Sequence, residues 1–272
     1  GIIGCGQLGQ VLIQAFPDLN LHPSVLDPDQ DAPCVPYTND FVCGSLVDYD
    51  SVYNFGKGKN LLTIEIENIN VAALLKLEKE GTKVYPQPSV IQIIQDKRKQ
   101  KEFYKKNGIP TSDFVLVKDK SEIAQHSSMF PVFQKLGTSG YDGRGVQAIR
   151  TVEDISKALD GESLLEKEVD FEKELSVIVA RNADGAIAVY PVVEMVFHPI
   201  QNLVEFLFSP ATITKEHEEE AKQIAINIID KLNMVGLLAV ELFLTNEGKI
   251  LVNEVAPRPH NSGHQTISAN VN

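Results

Sequence analysis

Short apolar runs alternate with segments of helical periodicity through the first 95 residues of the chain. Ile2-Ile3 and residues 60–64 are apolar runs of strand length, whereas residues 7–16 and 71–80 repeat apolar side chains at helical spacing. This alternation is typical of a parallel sheet whose strands are connected by helices. Residues 1–95 are therefore predicted to form an α/β domain.

The pattern changes in the remainder of the chain, which is predicted to be an α+β region. A helix is predicted over residues 91–106, and strand patterns joined by turn residues dominate after it. Residues 217–232 carry one apolar helical face, and a final hairpin is predicted near the end of the sequence. A chain of 272 residues exceeds what one core usually serves, so two or three domains are expected, and the change of pattern divides the chain into residues 1–95 and 96–272.

Composition places the chain among ordinary globular proteins, since 43% of its residues are hydrophobic and 23% are charged. A formal net charge of -12 argues against nucleic acid as a partner, because phosphate backbones need clustered positive charge. No stretch reaches the apolar length of a membrane span, and no secretory leader is visible. Cys5, Cys34 and Cys43 are too few for a disulfide framework, so a cytoplasmic protein with free thiols is predicted.

The first motif, Gly4-Cys5-Gly6-Gln7-Leu8-Gly9, is a GxGxxG run between a predicted strand and a predicted helix. With Asp27 at the end of the next strand, it matches the fingerprint of a dinucleotide site, in which glycines allow close approach of a pyrophosphate. The alternative is a tight turn whose helix N-terminus binds another phosphate, or nothing. The motif alone leaves both interpretations open.

A second glycine-rich segment, residues 137–145, lies between two predicted strands and follows Lys135. Its glycines allow backbone amides to turn toward an anion, and Lys135 and Arg144 add positive charge. No Gly-Lys-Ser/Thr sequence follows, so it is not a Walker loop. The segment is interpreted as a phosphate-binding loop, with an ordinary mobile hairpin tip as the alternative.

The final hairpin carries two carboxylates within apolar strands, Glu241 and Glu254. If residues 246–249 form a four-residue loop, the two glutamates stand directly opposite each other, which is unfavourable unless a cation lies between them. Mg²⁺ prefers one or two carboxylates together with substrate oxygens, and Asn253 could add an amide oxygen. A register slip that turned one glutamate to solvent is the alternative.

Five polar residues within seven positions follow this hairpin, and their density favours a functional site over isolated structural histidines. They are Arg258, His260, Asn261, Ser262 and His264. By contrast, Lys97 lies in a lysine-rich helical run that spacing alone assigns to a solvated face. Glu65 and Glu67 receive no role from the pattern around them.

Taken together and in this order, the motifs resemble the ATP-grasp superfamily, and within it the 5-(carboxyamino)imidazole ribonucleotide synthases. The specific segments are GYDGRG and VNEVAPRPHNSGHQT, supported by LLTIEIENI, IIQDKRKQK and LLEKEVDFEKELS. The resemblance implies a Rossmann-like pre-ATP-grasp domain at residues 1–95 and an ATP-grasp domain at 96–272, with a lid at about 112–168. It also implies a small C-terminal domain that this sequence lacks, and residues are expected to be missing at both ends.

The resemblance implies an ADP-forming ligase of de novo purine biosynthesis that uses ATP with Mg²⁺ or Mn²⁺. Bicarbonate would be phosphorylated to carboxyphosphate, and the amine of aminoimidazole ribonucleotide would then accept the carboxyl group. A cytoplasmic homodimer is implied as well. The alternatives are another ATP-grasp ligase such as the formate-dependent glycinamide ribonucleotide transformylase, an NAD-dependent oxidoreductase, and an inactive relative that only binds ATP.

The resemblance also implies a role for individual positions of this sequence. The ATP site would comprise Lys97, Lys135, Gly140, Tyr141, Asp142, Gly143, Arg144, Gly145, Glu166, Lys167, Glu168, Val169, Glu174, Asn253 and Glu254. The metal would be bound by Glu241, Asn253 and Glu254. Bicarbonate and the reacting amine would be surrounded by Arg258, His260, Asn261, Ser262 and His264, with Tyr141 and Arg144 nearby. The ribonucleotide would contact Gln7, Leu8 and Glu65.

Overall fold

The structure is a computed structural model that describes residues 1–138, 145–198 and 204–269. The strands are β1 (Ile2–Ile3), β2 (Val25–Asp27), β3 (Phe41–Cys43), β4 (Leu61–Ile64), β5 (Lys83–Val84), β6 (Phe114–Val117), β7 (Val132–Leu136), β8 (Val146–Ile149), β9 (Ser163–Lys167), β10 (Phe171–Arg181), β11 (Ile187–Val189), β12 (Val193–Phe197), β13 (Val204–Phe208), β14 (Gly236–Thr245) and β15 (Ile250–Ala256). The helices are α1 (Gln7–Gln14), α2 (Tyr49–Gly56), α3 (Val71–Lys79), α4 (Pro88–Ile94), α5 (Lys97–Lys106), α6 (Lys215–Lys231) and α7 (Thr266–Ala269). Among the described helices, none is both long enough and apolar enough to cross a membrane.

The N-terminal region is built on a parallel sheet with the strand order β3-β2-β1-β4-β5. Its central strand β1 is buried on both faces, because Ile3 packs with α2 and α3 and Ile2 packs with residues of α1. Continuous apolar runs are typical of parallel strands covered on both sides. The predicted α/β domain is therefore confirmed.

The large antiparallel sheet has the strand order β13-β12-β10-β14-β15, with β11 paired to β10. Helix α6 covers one face, and its residues Ala221, Ile224, Ala225 and Ile228 are buried against the sheet. The single apolar face that the sequence predicts for residues 217–232 is therefore confirmed. The helix leaves the opposite face of β10, β14 and β15 free to carry polar side chains.

The small antiparallel sheet has the order β6-β9-β7-β8 and lies within the predicted lid region. Val117, Val132, Ile149 and Leu165 form its core, together with side chains from short 3-10 helices. This core is separate from that of the large sheet. A polar contact joins the two antiparallel sheets, because Lys135 of β7 donates a hydrogen bond to Asn253 of β15.

The predicted single helix over residues 91–106 is wrong, because the structure has two helices, α4 and α5, separated at Gln95 and Asp96. Asp96 caps α5, since its carboxylate accepts a hydrogen bond from the backbone N–H of Arg98 at 3.0 Å. Such a cap satisfies backbone donors that a new helix start leaves unpaired. The break makes Lys97 the first residue of α5, where its N–H donates to the carbonyl of Gly137 at 2.8 Å.

Candidate active site

The final hairpin places Glu241 of β14 directly opposite Glu254 of β15, as the sequence predicts. The turn is tighter than the predicted four-residue loop, because Thr245 N–H donates to the carbonyl of Lys249 at 2.9 Å. The pairing shifts by one residue between Leu242 and Glu241, which leaves Asn253 as the extra residue of a β-bulge. The bulge restores the alignment of the two glutamates.

Both glutamates of this pair have a basic partner from the chain. The ammonium of Lys97 forms an ion pair with Glu254, and Nε2 of His260 lies 3.1 Å from Oε1 of Glu241. The charge of Lys97 holds the pKa of Glu254 well below its ordinary value. Burial would lower the pKa of Lys97, but Glu254, Glu166 and Glu241 together outweigh burial and raise it. The site is thus a pair of opposed carboxylates, each with a basic side chain as its partner.

Lys135 connects this hairpin to the small antiparallel sheet. Its Nζ lies 2.6 Å from Oε2 of Glu166 and donates to Oδ1 of Asn253 at 3.2 Å. Lys101 of α5 forms a buried ion pair with the same glutamate, and burial lowers the pKa of Lys101 to about 8. Lys101 is therefore largely protonated at pH 7. A small cavity between the sheets is lined by Lys97, Lys101, Lys135, Asn253 and Glu254.

The donor set of the hairpin fits Mg²⁺. Glu241, Glu254 and Asn253 offer the hard oxygen ligands that this ion prefers. Among the described residues, no group of three or more His, Cys, Asp or Glu side chains could hold a metal ion. Two carboxylates and an amide would leave coordination positions for phosphate oxygens, which is the usual arrangement for Mg²⁺ bound with a nucleotide.

The orientation of His260 is fixed by contacts at both ring nitrogens, a hydrogen bond at Nδ1 and a close approach to a carboxylate at Nε2. The backbone N–H of Ser262 donates to Nδ1 at 3.3 Å, so Nε2 carries the proton and points at Glu241. The hydroxyl of Ser262 is fully buried and lies 2.7 Å from the hydroxyl of Ser176 on β10. This chain of contacts ties the polar segment after β15 to the face of the large sheet that carries Glu241.

An ion pair joins the same polar segment to the N-terminal domain. Nε of Arg258 donates to Oε1 of Glu67 at 2.8 Å, across 191 positions of sequence. The carbonyl of Glu67 in turn accepts a hydrogen bond from the side chain of Gln95 at 2.7 Å. Glu67 therefore lies at the junction of the parallel sheet, the α4–α5 break and the segment that begins at Arg258.

The GxGxxG loop binds a carboxylate of its own chain. The backbone N–H of Gly6 donates to Glu65 at 3.3 Å, and a Cβ at Gly4 or Gly6 would lie only 2.7 Å from an oxygen of Glu65. Asp27 is also engaged, since it accepts from Cys5 N–H at 2.8 Å. The glycines thus make room for Glu65 where a dinucleotide site would hold its pyrophosphate. Burial raises the pKa of Glu65. This geometry disfavours the oxidoreductase alternative.

The comparison with known families agrees with this arrangement. A family model of the ATP-grasp domain matches residues 102–272, and a model of the ribonucleotide synthetase preATP-grasp domain matches residues 1–95. The chain belongs to the ATP-grasp family. The superfamily resemblance and the fold predicted from the motifs are thereby confirmed.

Individual relatives of this chain have more specific names than the two family models. The chain is 39% identical over 275 residues to a chloroplastic phosphoribosylaminoimidazole carboxylase from Vigna aconitifolia, over 99% of the chain and 49% of that protein. The N5-carboxyaminoimidazole ribonucleotide synthetase from Thermotoga maritima has a TM-score of 0.90 and 41% identity, over 100% of this chain and 72% of that one. The Aspergillus clavatus synthase, solved with ADP and 5-aminoimidazole ribonucleotide, has a TM-score of 0.88 and 29% identity, over 98% of this chain and 71% of that one.

The ATP-grasp chain spans about half the length of several curated relatives that it matches.

Most of the predicted phosphate-binding loop is not covered by the structure. The predicted residues Gly140, Tyr141, Asp142, Gly143 and Arg144 lie outside the described residues. Gly145 is described, has a φ of 72°, and accepts a hydrogen bond from Leu136 N–H at 2.9 Å through its carbonyl.

The remaining predicted nucleotide residues lie on β9, on β10 and in the short segment that joins these strands. Glu166 is buried, Lys167 is exposed, Glu168 and Val169 are half-buried, and Glu168 forms an ion pair with Arg150 at 2.8 Å. Glu174 lies one strand away from Glu241, and burial, together with the charge of Glu241, raises the pKa of Glu174 to about 7. Of these residues, Glu166 contacts Lys135 directly.

The other predicted site residues differ from one another in exposure. Asn261 is exposed, and Nε2 of His264 is buried without a hydrogen-bond partner among the described residues. Gln7 is exposed at the start of α1, and Leu8 beside it is half-buried. Gln7 and Leu8 share the GxGxxG loop with the glycines that contact Glu65.

Two residues of this ATP-grasp site received no role from the sequence, Lys101 and Glu67. The sequence did contain a pattern that indicates an inward-facing Lys101. Lys97, Lys101 and Tyr104 share one helical face, and Tyr104 is a large aromatic residue of the kind that packs into a core. Tyr104 is fully buried, which identifies that face as the inward one. No local pattern points to Glu67, since its partner Arg258 lies in the other domain.

Proposed function

We propose that this ATP-grasp chain carries out the ATP-dependent carboxylation of 5-aminoimidazole ribonucleotide with bicarbonate. The products would be 5-(carboxyamino)imidazole ribonucleotide, ADP and phosphate, in de novo purine biosynthesis. The observation that carries the proposal is the opposed pair Glu241 and Glu254, with Lys97, Lys135 and the segment from Arg258 gathered around it. The relative solved with ADP and 5-aminoimidazole ribonucleotide supports the choice of substrates.

In this proposal the first step is a phosphoryl transfer. A bicarbonate oxygen attacks the γ-phosphorus of ATP, ADP leaves, and carboxyphosphate forms. Lys97 and Lys135 would bind the phosphates through charge-assisted hydrogen bonds. Mg²⁺ bound by Glu241, Asn253 and Glu254 would offset the negative charge of the phosphoryl oxygens. The adenosine would lie along Glu166 to Val169, with Glu174 on the ribose, and Gly140 to Gly145 would close over the phosphates.

In the second step the amine nitrogen of the ribonucleotide attacks the carboxyl carbon, phosphate leaves, and the nitrogen loses a proton. A guanidinium has five N–H donors, and the contacts of Arg258 with Glu67 and the Pro259 carbonyl use two of them. The others would bind the planar bicarbonate or carboxyl group. His260, Asn261, Ser262 and His264 would complete that pocket with Tyr141 and Arg144, and Gln7, Leu8 and Glu65 would contact the ribonucleotide. We also propose a cytoplasmic homodimer.

The proposal is tested by ADP formation with Mg-ATP and bicarbonate, measured with and without 5-aminoimidazole ribonucleotide. Strong stimulation by this ribonucleotide, and formation of its carboxylated product, are expected. Stimulation only by glycinamide ribonucleotide with formate would establish the transformylase alternative instead. Nucleotide binding without ADP formation under any condition would support an inactive relative and refute the proposed reaction.

A further inference from the structure

Lys101, Glu166 and Lys135 form a cluster of charges between the two antiparallel sheets. The side chains of Lys101 and Glu166 are each only 4% exposed, whereas that of Lys135 is 17% exposed. The two lysines approach different oxygens of the carboxylate, Lys101 at Oε1 and Lys135 at Oε2. One buried anion therefore has two cationic partners, of which Lys135 is the more exposed.

The ammonium of Lys101 is fully engaged by the protein. Its three acceptors are Oε1 of Glu166, the hydroxyl of Thr111 and the hydroxyl of Ser112, the last at 3.4 Å. An ammonium has three N–H donors, so these contacts account for all of them. Ser112 also donates to Oε1 of Glu166, which further fixes the pair. Lys101 is thus held in place as a counter-ion for Glu166.

Lys135 is held less completely. Its Nζ lies 2.6 Å from Oε2 of Glu166, yet that oxygen has no hydrogen bond of acceptable geometry among the described residues. The hydrogen bond that Lys135 does make is directed to Asn253, toward the hairpin with the opposed glutamates. Its attraction to Glu166 is therefore mainly electrostatic, and Asn253 is its one hydrogen-bond acceptor among the described residues.

We propose that Lys101 is a positioning residue that stays with Glu166 as its permanent counter-ion and so frees Lys135 to bind the nucleotide phosphates. The physical reason is the cost of leaving a buried carboxylate without a partner, which is far larger than the loss of a surface pair. With Lys101 in place, Lys135 can turn to a phosphate without uncovering Glu166. This inference rests on the proposed nucleotide binding.

The test compares Lys101→Met, Lys135→Met and the double variant Lys101→Met/Glu166→Gln, with Lys99→Met as the matched control. Lys99 is an exposed lysine two residues away on the same helix. The first readout is thermal unfolding without nucleotide. Lys101→Met should lower Tm by roughly 10 °C, Lys135→Met should lower it much less, and the double variant should recover most of the loss. Equal losses for Lys101→Met and Lys135→Met would overturn the inference.

The second readout is the Kd of Mg-ADP by calorimetry, at a temperature where each variant is folded. Lys101→Met should weaken binding about tenfold, because Lys135 becomes the sole partner of Glu166. The double variant removes both charges of the pair, so it should bind more tightly than Lys101→Met alone, and any remaining deficit measures the contact of Glu166 with the adenosine. If neutralising Glu166 fails to restore affinity, or if Lys101→Met binds normally, Lys101 does not act in this way.

The two readouts separate this inference from the proposed function. An unaltered chain that bound no Mg-ADP would refute the proposed function and the nucleotide step of the inference together. If it binds Mg-ADP, the calorimetric comparison decides the inference whatever the carboxylation assay shows. Should Lys101→Met fail to fold, the double variant still decides the question, because a double variant that also failed to fold would contradict the counter-ion role of Lys101.

Discussion

The cleft between the two antiparallel sheets has a basic side and an acidic side, and their charged residues are paired differently. The basic cluster, Lys97, Lys101 and Lys135, is in contact with carboxylates of the chain. The acidic row, Glu174, Glu241 and Glu254, lies on the neighbouring strands β10, β14 and β15. Within this row the pKa of Glu254 is lowered by Lys97, whereas the pKa of Glu174 is raised by burial and by Glu241.

The difference indicates which ligand each side is suited to receive. The basic cluster is neutralised before any ligand arrives, so a phosphate must compete with carboxylates for Lys97 and Lys135. Burial and the carboxylate of Glu241 disfavour the ionised form of Glu174, and a cation between these strands would relieve that repulsion. A nucleotide bound together with its metal ion would satisfy both sides at once.

The largest expected effect is that of Glu254→Gln, which removes one carboxylate of the acidic row. This change removes a proposed metal ligand and leaves Lys97 without its partner, so ADP formation should fall on the order of a thousandfold. The rate of ADP formation at saturating Mg-ATP measures it. Glu247→Gln is the matched control, because Glu247 lies on the tip of the same hairpin and its side chain is 75% exposed. A Glu254→Gln variant with more than a tenth of the normal rate would contradict the proposed metal site.

A smaller effect is expected from the basic side with Lys135→Met. Loss of one charge-assisted contact to a phosphate should weaken Mg-ADP binding by roughly 10- to 100-fold. Calorimetric titration measures the change in Kd. Lys157→Met provides the control, since this lysine is in the same lid region with a 66% exposed side chain. Unchanged affinity would show that Lys135 stays with Glu166 when the nucleotide binds.

The smallest effect concerns the pH dependence of stability at Glu174. Its pKa is raised to about 7 in the folded chain, so the folded state binds this proton more tightly than the unfolded state does. The contribution of the protonated form to stability is complete below about pH 4.5 and is lost as pH rises to about 7. Urea unfolding of the nucleotide-free chain should therefore show a fall in stability across this window that Glu174→Gln lacks. Parallel pH profiles would mean that Glu174 is not the group responsible.

The sequence by itself determined the elements whose causes are local. Alternating strand and helix patterns predicted the parallel sheet, and one apolar face predicted α6, because burial repeats with the period of each structure. It also predicted the opposition of Glu241 and Glu254, but from a four-residue turn that the structure does not have. The bulge at Asn253 was not predicted, and it compensates for a turn that is tighter than expected.

Only the tertiary structure decided which polar side chains meet. Lys99 and Lys101 belong to one lysine-rich run, yet Lys99 is exposed and Lys101 is buried, because the packing of α5 selects the inward face. Arg258 and Glu67 meet across the domain junction, and Glu65 fills the loop that resembles a dinucleotide site. Charge pairs between distant segments depend on how the domains pack, and the periodicity of a single segment carries no information about that packing.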